Sequence, residues 1–246
     1  GYGYAGTVYM GKGLQTKLSN EKAYRMPTNE ELFGDEDLEL GQIGLRPEKS
    51  HNLNLSFSYN RTFAFRHGVY AEVGLVYRNT TDYIQRLIGT YSGNKTYASY
   101  VNHGKVLTKG INVSVRYTYN GWVSIGGNFS RMDVRDNVKT LAGGGINPSY
   151  GARMPNQPYM FASADVSFYW NDLFAKGNRL TVTYDNLYMH SFPRYSENLG
   201  SASSKERVPT QFSHNIMVSY SVANGKYNFS VECVNLTDAK LYDNFS

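Results

Sequence analysis

The chain has 246 residues, of which 41% are apolar, 15% aromatic and 18% charged, with 24 Gly, 7 Pro and a formal net charge of +5. That length can enclose a sizeable core or one face of a large barrel, and 22 Tyr and 12 Phe beside so much glycine favour many short strands over a helical protein. No run approaches the roughly 18 to 20 apolar residues of a membrane-crossing helix, Lys and Arg form none of the basic runs that mark nucleic-acid binders, and a single cysteine, Cys233, excludes an intrachain disulfide, a thiolate metal cluster and a CxxC redox pair.

Period-2 alternation recurs from one end to the other. A weak version over 7 to 19 comes first. Leu53, Leu55, Phe57 and Tyr59 then share one face against Asn52, Asn54, Ser56 and Ser58. Val69, Ala71, Val73, Leu75 and Tyr77 oppose Glu72 and Arg78, and Ile111, Val113, Val115, Tyr117 and Tyr119 oppose Asn112, Ser114, Arg116 and Thr118. A weaker run covers 122 to 133. Ala164, Val166, Phe168 and Trp170 oppose Asp165 and Ser167, a weaker run covers 179 to 188, Ile216, Val218, Tyr220 and Val222 oppose Asn215, Ser219 and Ser221, and Tyr227, Phe229 and Val231 oppose Asn228, Ser230 and Glu232. About nine strands are predicted.

Connections between them alternate in length. Short ones lie near 61 to 67, at the hairpin dipeptide Asn120-Gly121, near 171 to 178 and at 223 to 226; long ones lie near 20 to 48, 80 to 98, 135 to 157 and 190 to 210. All seven prolines fall in the long connections, as expected of a residue that cannot donate to a β-ladder. Strands of about ten residues, with one apolar and one Asn/Ser/Thr/Tyr-rich face and short turns at one end only, form the pattern of an outer-membrane β-barrel. Lipid offers no hydrogen bonds, so a spanning backbone must satisfy itself in an antiparallel sheet whose apolar side chains face hydrocarbon and whose polar ones face the lumen. Tyr59, Tyr77, Tyr117, Tyr119, Trp122, Phe168, Trp170, Tyr220 and Tyr227 fall near strand ends, where interfacial aromatic girdles belong.

Several segments resemble the C-terminal half of the barrel of TonB-dependent outer-membrane receptors. KAYRMPTNEELFG (Lys22 to Gly34) and LRPEKSHNLNLSFSY (Leu45 to Tyr59) are similar to that family's RxPxxxELFG loop and the strand after it. YVNHGKVLTKGINVSVRY (Tyr100 to Tyr117) is similar to its N-x-G-x-x-x-x-x-G-x-E strand, with Asn112 where the family usually carries Glu. RMPNQPYMFASADVSF (Arg153 to Phe168) and SVECVNLTDAKLYDNFS (Ser230 to Ser246) resemble two later segments in the same order. The resemblance implies an all-β, antiparallel, up-and-down transmembrane barrel of 22 strands with a plugged lumen. Residues 1 to 246 would be its C-terminal part, a fragment without the plug, the TonB box and the last strand. Its first and last strands should then not pair with each other. The implied function is part of an active importer in the outer membrane of a Gram-negative bacterium. Its partners would be the remaining strands and plug, the TonB complex through the plug, outer-membrane lipid and a scarce nutrient such as an iron chelate, corrinoid, glycan or peptide. No nucleic acid is implied. A passive porin or barrel adhesin, or a soluble carbohydrate-binding β-sandwich, are the alternative readings.

Enzymatic constellations are not expected. His51, His67, His103, His190 and His214 stand far apart, without HExxH, HxH or His/carboxylate spacing. No GxSxG occurs, and Gly11-Lys12-Gly13 lacks the rest of a phosphate-binding loop. Glu30, Glu31, Asp35, Glu36, Asp37 and Glu39 could hold a hard cation, but without EF-hand order a solvated acidic loop is the reading favoured; neither a metal nor a cofactor is assigned. Candidate ligand contacts lie in the long connections: Tyr91, Asn94, Tyr97 and Tyr100; Asn147, Tyr150, Arg153 and Asn156; and Arg194, Tyr195 and Asn198. Tyr and Asn suit stacking and adaptable hydrogen bonding, and Arg153 or Arg194 could meet an anionic group. Lumen-facing Glu72, Arg78, Arg116, Asp165 and Glu232 are expected to pair across strands or meet the plug.

Overall fold

The computed structural model describes residues 1–35, 39–90, 96–141, 143–198 and 206–242. In chain order the elements are β1 (Tyr2–Gly11), β2 (Leu14–Arg25), α1 (Asn29–Phe33), β3 (Glu39–Leu40), β4 (Glu48–Phe63), β5 (His67–Thr81), β6 (Ile84–Thr90), β7 (Thr96–Asn102), β8 (Lys105–Tyr119) and β9 (Val123–Asp136). They continue with β10 (Met160–Asn171), β11 (Arg179–Met189), β12 (Phe192–Pro193), β13 (Arg207–Val208), β14 (Gln211–Val222) and β15 (Tyr227–Cys233). Ten of these strands form one antiparallel sheet in the order β1-β2-β4-β5-β8-β9-β10-β11-β14-β15. Each main-sheet strand thus pairs with its neighbour in sequence, the small loop strands aside. β1 and β15 occupy opposite edges, are exposed throughout and do not pair, so the sheet is open.

Ten strands rather than nine arise because the run read over 7 to 19 is two strands. Gly11, Lys12 and Gly13 all have positive φ (79°, 52° and 86°) and reverse the chain between β1 and β2. A Cβ on Gly13 would run into the carbonyl of Asn60, so only glycine fits there. At the predicted Asn120-Gly121 turn both residues have positive φ (47° and 71°), the backbone of a two-residue hairpin whose twist matches its strands.

Register carries the alternation across the whole sheet. Val73 pairs with Val113, Val113 with Phe129 and Phe129 with Ala162; four residues along, Tyr117 pairs with Ile125, Ile125 with Val166, Val166 with Tyr184 and Tyr184 with Ile216. Directly opposed residues share a face, so these rows form one continuous apolar surface. It is not a dry core: Phe57 is 45% exposed, Val115 49% and Val218 41%. The opposite face carries rows such as Ser58–Glu72–Ser114–Asn128–Ser163, and there Asn52, Ser124 and Ser167 are buried. No second sheet covers the apolar face among the described residues.

Short turns lie at one end of the sheet and the long connections at the other, and the long connections build a layer of their own. The second one folds back as a β6–β7 hairpin, and β3 of the first adds to it in parallel. In the fourth, β12 pairs with β13. Leu45, Ile84 and Tyr100, packed with Leu32, form a buried apolar cluster, and Phe192, Val106 and Val208 are also buried. Apolar packing of the ordinary soluble kind is thus found in the loops.

Candidate functional site

The layer is ordered from the base of the first connection upward. Thr28 caps α1 with a reciprocal pair of bonds: Glu31 N donates to Thr28 Oγ1 at 3.2 Å and Thr28 N donates to the Glu31 carboxylate at 2.8 Å. That cap aims Glu31 at Arg25, whose guanidinium also holds Glu48 at 2.9 Å on the paired strand. Glu48 in turn accepts the amide of Ile84 at 2.8 Å, tying the β6–β7 hairpin to the first loop. Above it Glu39 accepts from Arg86 at 2.6 Å and from the Tyr100 hydroxyl at 2.7 Å. Burial first, and then that bond to a carboxylate, push the Tyr100 hydroxyl pKa up to about 12. Asn102 closes the hairpin by bonding the backbone of Arg46 in both directions and the carbonyl of Asp82.

The third connection is organised by Asp136, 3% exposed, which accepts from the Val138 amide at 2.8 Å and from Asn147 Nδ2 at 2.9 Å and lies 3.1 Å from His103 Nε2. Arg153 stacks over Tyr159 at 4.0 Å and donates to Asp133 at 3.0 Å. Third and fourth connections are joined by Asn156 N to Pro193 O at 2.8 Å and by Asn198 Nδ2 to Pro148 O at 3.2 Å. Gln157 donates to the Tyr83 hydroxyl, linking the third loop to the second, and burial raises the Tyr83 pKa.

Two cavities result. One, of about 290 Å³, opens between the second, third and fourth connections, with Arg86, Leu87, His103, Arg153, Arg194 and Tyr195 among its walls. The other, of about 620 Å³, lies on the polar face of β2, β4, β5, β8 and β9 beside Tyr83 and Gln157, with Arg78 and Asn52 in its wall. Each arginine of the smaller cavity is matched by a carboxylate: Arg86 by Glu39, Arg153 by Asp133 and Arg194 by Glu206 at 3.5 Å. Leu87, Ala152, Met154 and Pro155 supply apolar wall between them. Such a lining favours stacking and shared hydrogen bonds over capture of a bare anion.

A family profile described as "TonB dependent receptor-like, beta-barrel" matches residues 3–236. The chain belongs to the TonB-dependent receptor family, in its β-barrel. None of the curated proteins matches it. Solved structures similar to this receptor segment include the copper transporter OprC (14% identity, 96% of this chain and 34% of that one, TM-score 0.65). The iron transporter FrpB of Neisseria meningitidis (12%, 95% and 34%, 0.62) and the siderophore receptor PirA of Acinetobacter baumannii (16%, 94% and 36%, 0.61) are similar too. At these identities the likeness concerns the fold. The chain spans about a third of the length of each.

Of the residues singled out in the sequence, Arg153, Asn156, Arg194 and Tyr195 line the smaller cavity. Tyr150 is exposed beside Lys139, and Asn198 ties two loops together. Tyr100 and Asn147 are buried within the layer; the Asn147 amide is engaged by Asp136, Val138 and Ser149. Tyr97 packs beside Gly89, and Tyr91 and Asn94 lie outside the described residues. Within the acidic cluster, Glu31 and Glu39 bond Arg25 and Arg86, Asp35 accepts the amide of Glu39, and Glu36 and Asp37 lie outside the described residues. On the lumen face Arg116 clasps Asp165 at 2.7 and 2.9 Å, Arg78 donates to Asn52 at 2.8 Å, and Glu72 accepts from Tyr70. Sequence reasoning missed Glu39, Glu48, Asp136 and Asn102 as organisers. Glu48 and Asn102 sit in the segments that resemble the family, the one signal that pointed toward them.

Proposed function

We propose that this segment is the ligand-facing part of an outer-membrane TonB-dependent importer, lying in the outer membrane of a Gram-negative bacterium, with the loop layer outside the cell. The whole receptor would add the remaining strands, a plug and coupling to TonB; the segment itself carries out no chemical step. The reading is carried by one observation. The polar face of the sheet and the long connections meet at the same end, where the loops are cross-braced around a cavity of about 290 Å³ that adjoins the loop-side end of the polar face.

Arg153, Asn156, Arg194 and Tyr195 are the proposed ligand contacts, with Tyr97 and Tyr150 as further candidates from the same loops and Asn198 bracing the wall. Because every arginine there is already paired, the nutrient is proposed to be a complex with stacking surface and distributed polar groups, such as an aromatic metal chelate, a corrinoid or a glycan. The test uses the full-length receptor in detergent and fluorescence quenching by a ferric catecholate, a corrinoid, a maltooligosaccharide and a peptide mixture. One class should bind, and Tyr195→Ala with Asn156→Ala should weaken it at least tenfold. Binding unaffected by both would overturn the assignment of the site.

A further inference from the structure

The outward, apolar face carries one feature that neither cavity explains. Register places Lys22 of β2, Lys49 and His51 of β4, Lys105 and Lys109 of β8, and Arg131 and Arg135 of β9 on that face, all toward the long connections and all exposed. They begin where the apolar runs stop. Going toward the loops, the next outward residue after Ile111 is Lys109, after Phe129 it is Arg131, and after Leu53 it is His51. From Ile111 to Tyr119 the apolar run covers eight steps of about 3.3 Å, or roughly 20 Å of height on a strand tilted about 40°, close to the band of a spanning barrel. The cations therefore stand at headgroup height.

The band is positive with one exception. Among the described residues Lys22, Lys49, Lys105, Lys109 and Arg131 have no carboxylate within ion-pair distance. The one acid on this face of the strands, Asp133, is held by Arg135 at 2.6 Å and Arg153 at 3.0 Å. The band is also local. The outward residues of β10, β11, β14 and β15 include no Lys or Arg, and toward the short turns the outward strand residues include one, Arg61, stacked over Phe63 at 4.9 Å. A merely solvated rim would carry mixed charge around the whole sheet. From β2 to β9 the band crosses four strand spacings, about 19 Å, wide enough to meet more than one phosphate.

We propose that this band is a binding site for the phosphate groups of an anionic lipid in the leaflet on the loop side. Unpaired ammonium and guanidinium groups at that depth gain charge-assisted bonds to lipid phosphate, while the apolar rows below receive acyl chains. Lys109 and Arg131, diagonal neighbours on adjacent strands, form its centre.

The proposal rests on the outward face meeting lipid, and the experiment separates the two. Full-length receptor in neutral detergent is titrated with diphosphorylated lipid A, and retained lipid is counted by native mass spectrometry. Wild type should retain it in preference to the monophosphorylated form. Lys109→Gln and Arg131→Gln should each lower retention about fivefold, a combined Lys49→Gln, Lys105→Gln, Lys109→Gln, Arg131→Gln variant far more, and Arg61→Gln not at all. Should the combined variant fail to fold, the two single variants decide. Undiminished retention in the charge variants, or equal competition by inorganic phosphate, would overturn the lipid site. A receptor that stays monodisperse without detergent and retains no lipid would overturn the membrane reading itself.

Discussion

The sheet and the loop layer of this receptor segment are stabilised by opposite means. The sheet has alternating faces, nearest-neighbour pairing and, among the described residues, an apolar face that nothing covers, so its greasy rows suit hydrocarbon and its backbone ladder bonds. The loops have a small apolar nucleus at Leu45, Ile84 and Tyr100 and two sets of ion pairs, Arg25 with Glu31 and Glu48 and Arg86 with Glu39. On the proposed reading one part meets lipid and the other water. Mutations should therefore sort by region.

The largest effect is expected from a charge in the middle of the apolar rows. Val113→Arg should destabilise the full-length receptor in vesicles by about 2–4 kcal/mol, whereas Ser114→Arg, one residue along on the polar face, should cost under about 1 kcal/mol; urea unfolding followed by heat-modifiable gel mobility measures both. Equal costs would erase the difference between the faces. Next, Ile84→Ala, which empties part of the loop nucleus, should cost about 2 kcal/mol locally. Limited proteolysis should then cut the second and first connections while the sheet keeps its unfolding midpoint.

Tyr100 gives the loop layer an alkaline limit. Its pKa of about 12 exceeds the ordinary value of 10, so the bond to Glu39 contributes fully below pH 10 and is lost as pH rises through about 12. Ultraviolet titration of wild type minus Tyr100→Phe should show one tyrosine ionising near 12, and Glu39→Gln should lower that value. The smallest effect lies on the lumen face. Arg116 reaches Asp165 across Gly126, where an added Cβ would meet both side chains. Gly126→Leu should sever the pair at a cost of about 1 kcal/mol or less, read as a small shift in urea midpoint.

The same division explains what the sequence disclosed. Strands such as 53 to 59 and 111 to 119 were legible because their faces are set by neighbours two residues away, and Asn120-Gly121 because a turn dipeptide needs no distant partner. The split of 7 to 19 was missed since Gly11-Lys12-Gly13 gives no such dipeptide and β1 alternates weakly. The loop layer depends on partners far along the chain: Glu39 meets Arg86 and Tyr100, Glu48 meets the Ile84 amide, and β3 pairs in parallel with β7. No local pattern encodes those meetings. Arg153, Asn156, Arg194 and Tyr195 were legible as loop Tyr, Asn and Arg residues, but their convergence on one cavity was not, and neither was the burial of Asn147 and Tyr100.

The central claim, that apolar side chains point to lipid and polar ones to the lumen, is tested most directly by a cysteine scan along 111 to 118. The scan uses the full-length receptor in bilayers, with Cys233 replaced by serine. Spin labels at 111, 113, 115 and 117 should be relaxed by oxygen dissolved in the lipid, and labels at 112, 114, 116 and 118 by a water-soluble nickel chelate. An inverted pattern, or one without a two-residue period, would contradict the account.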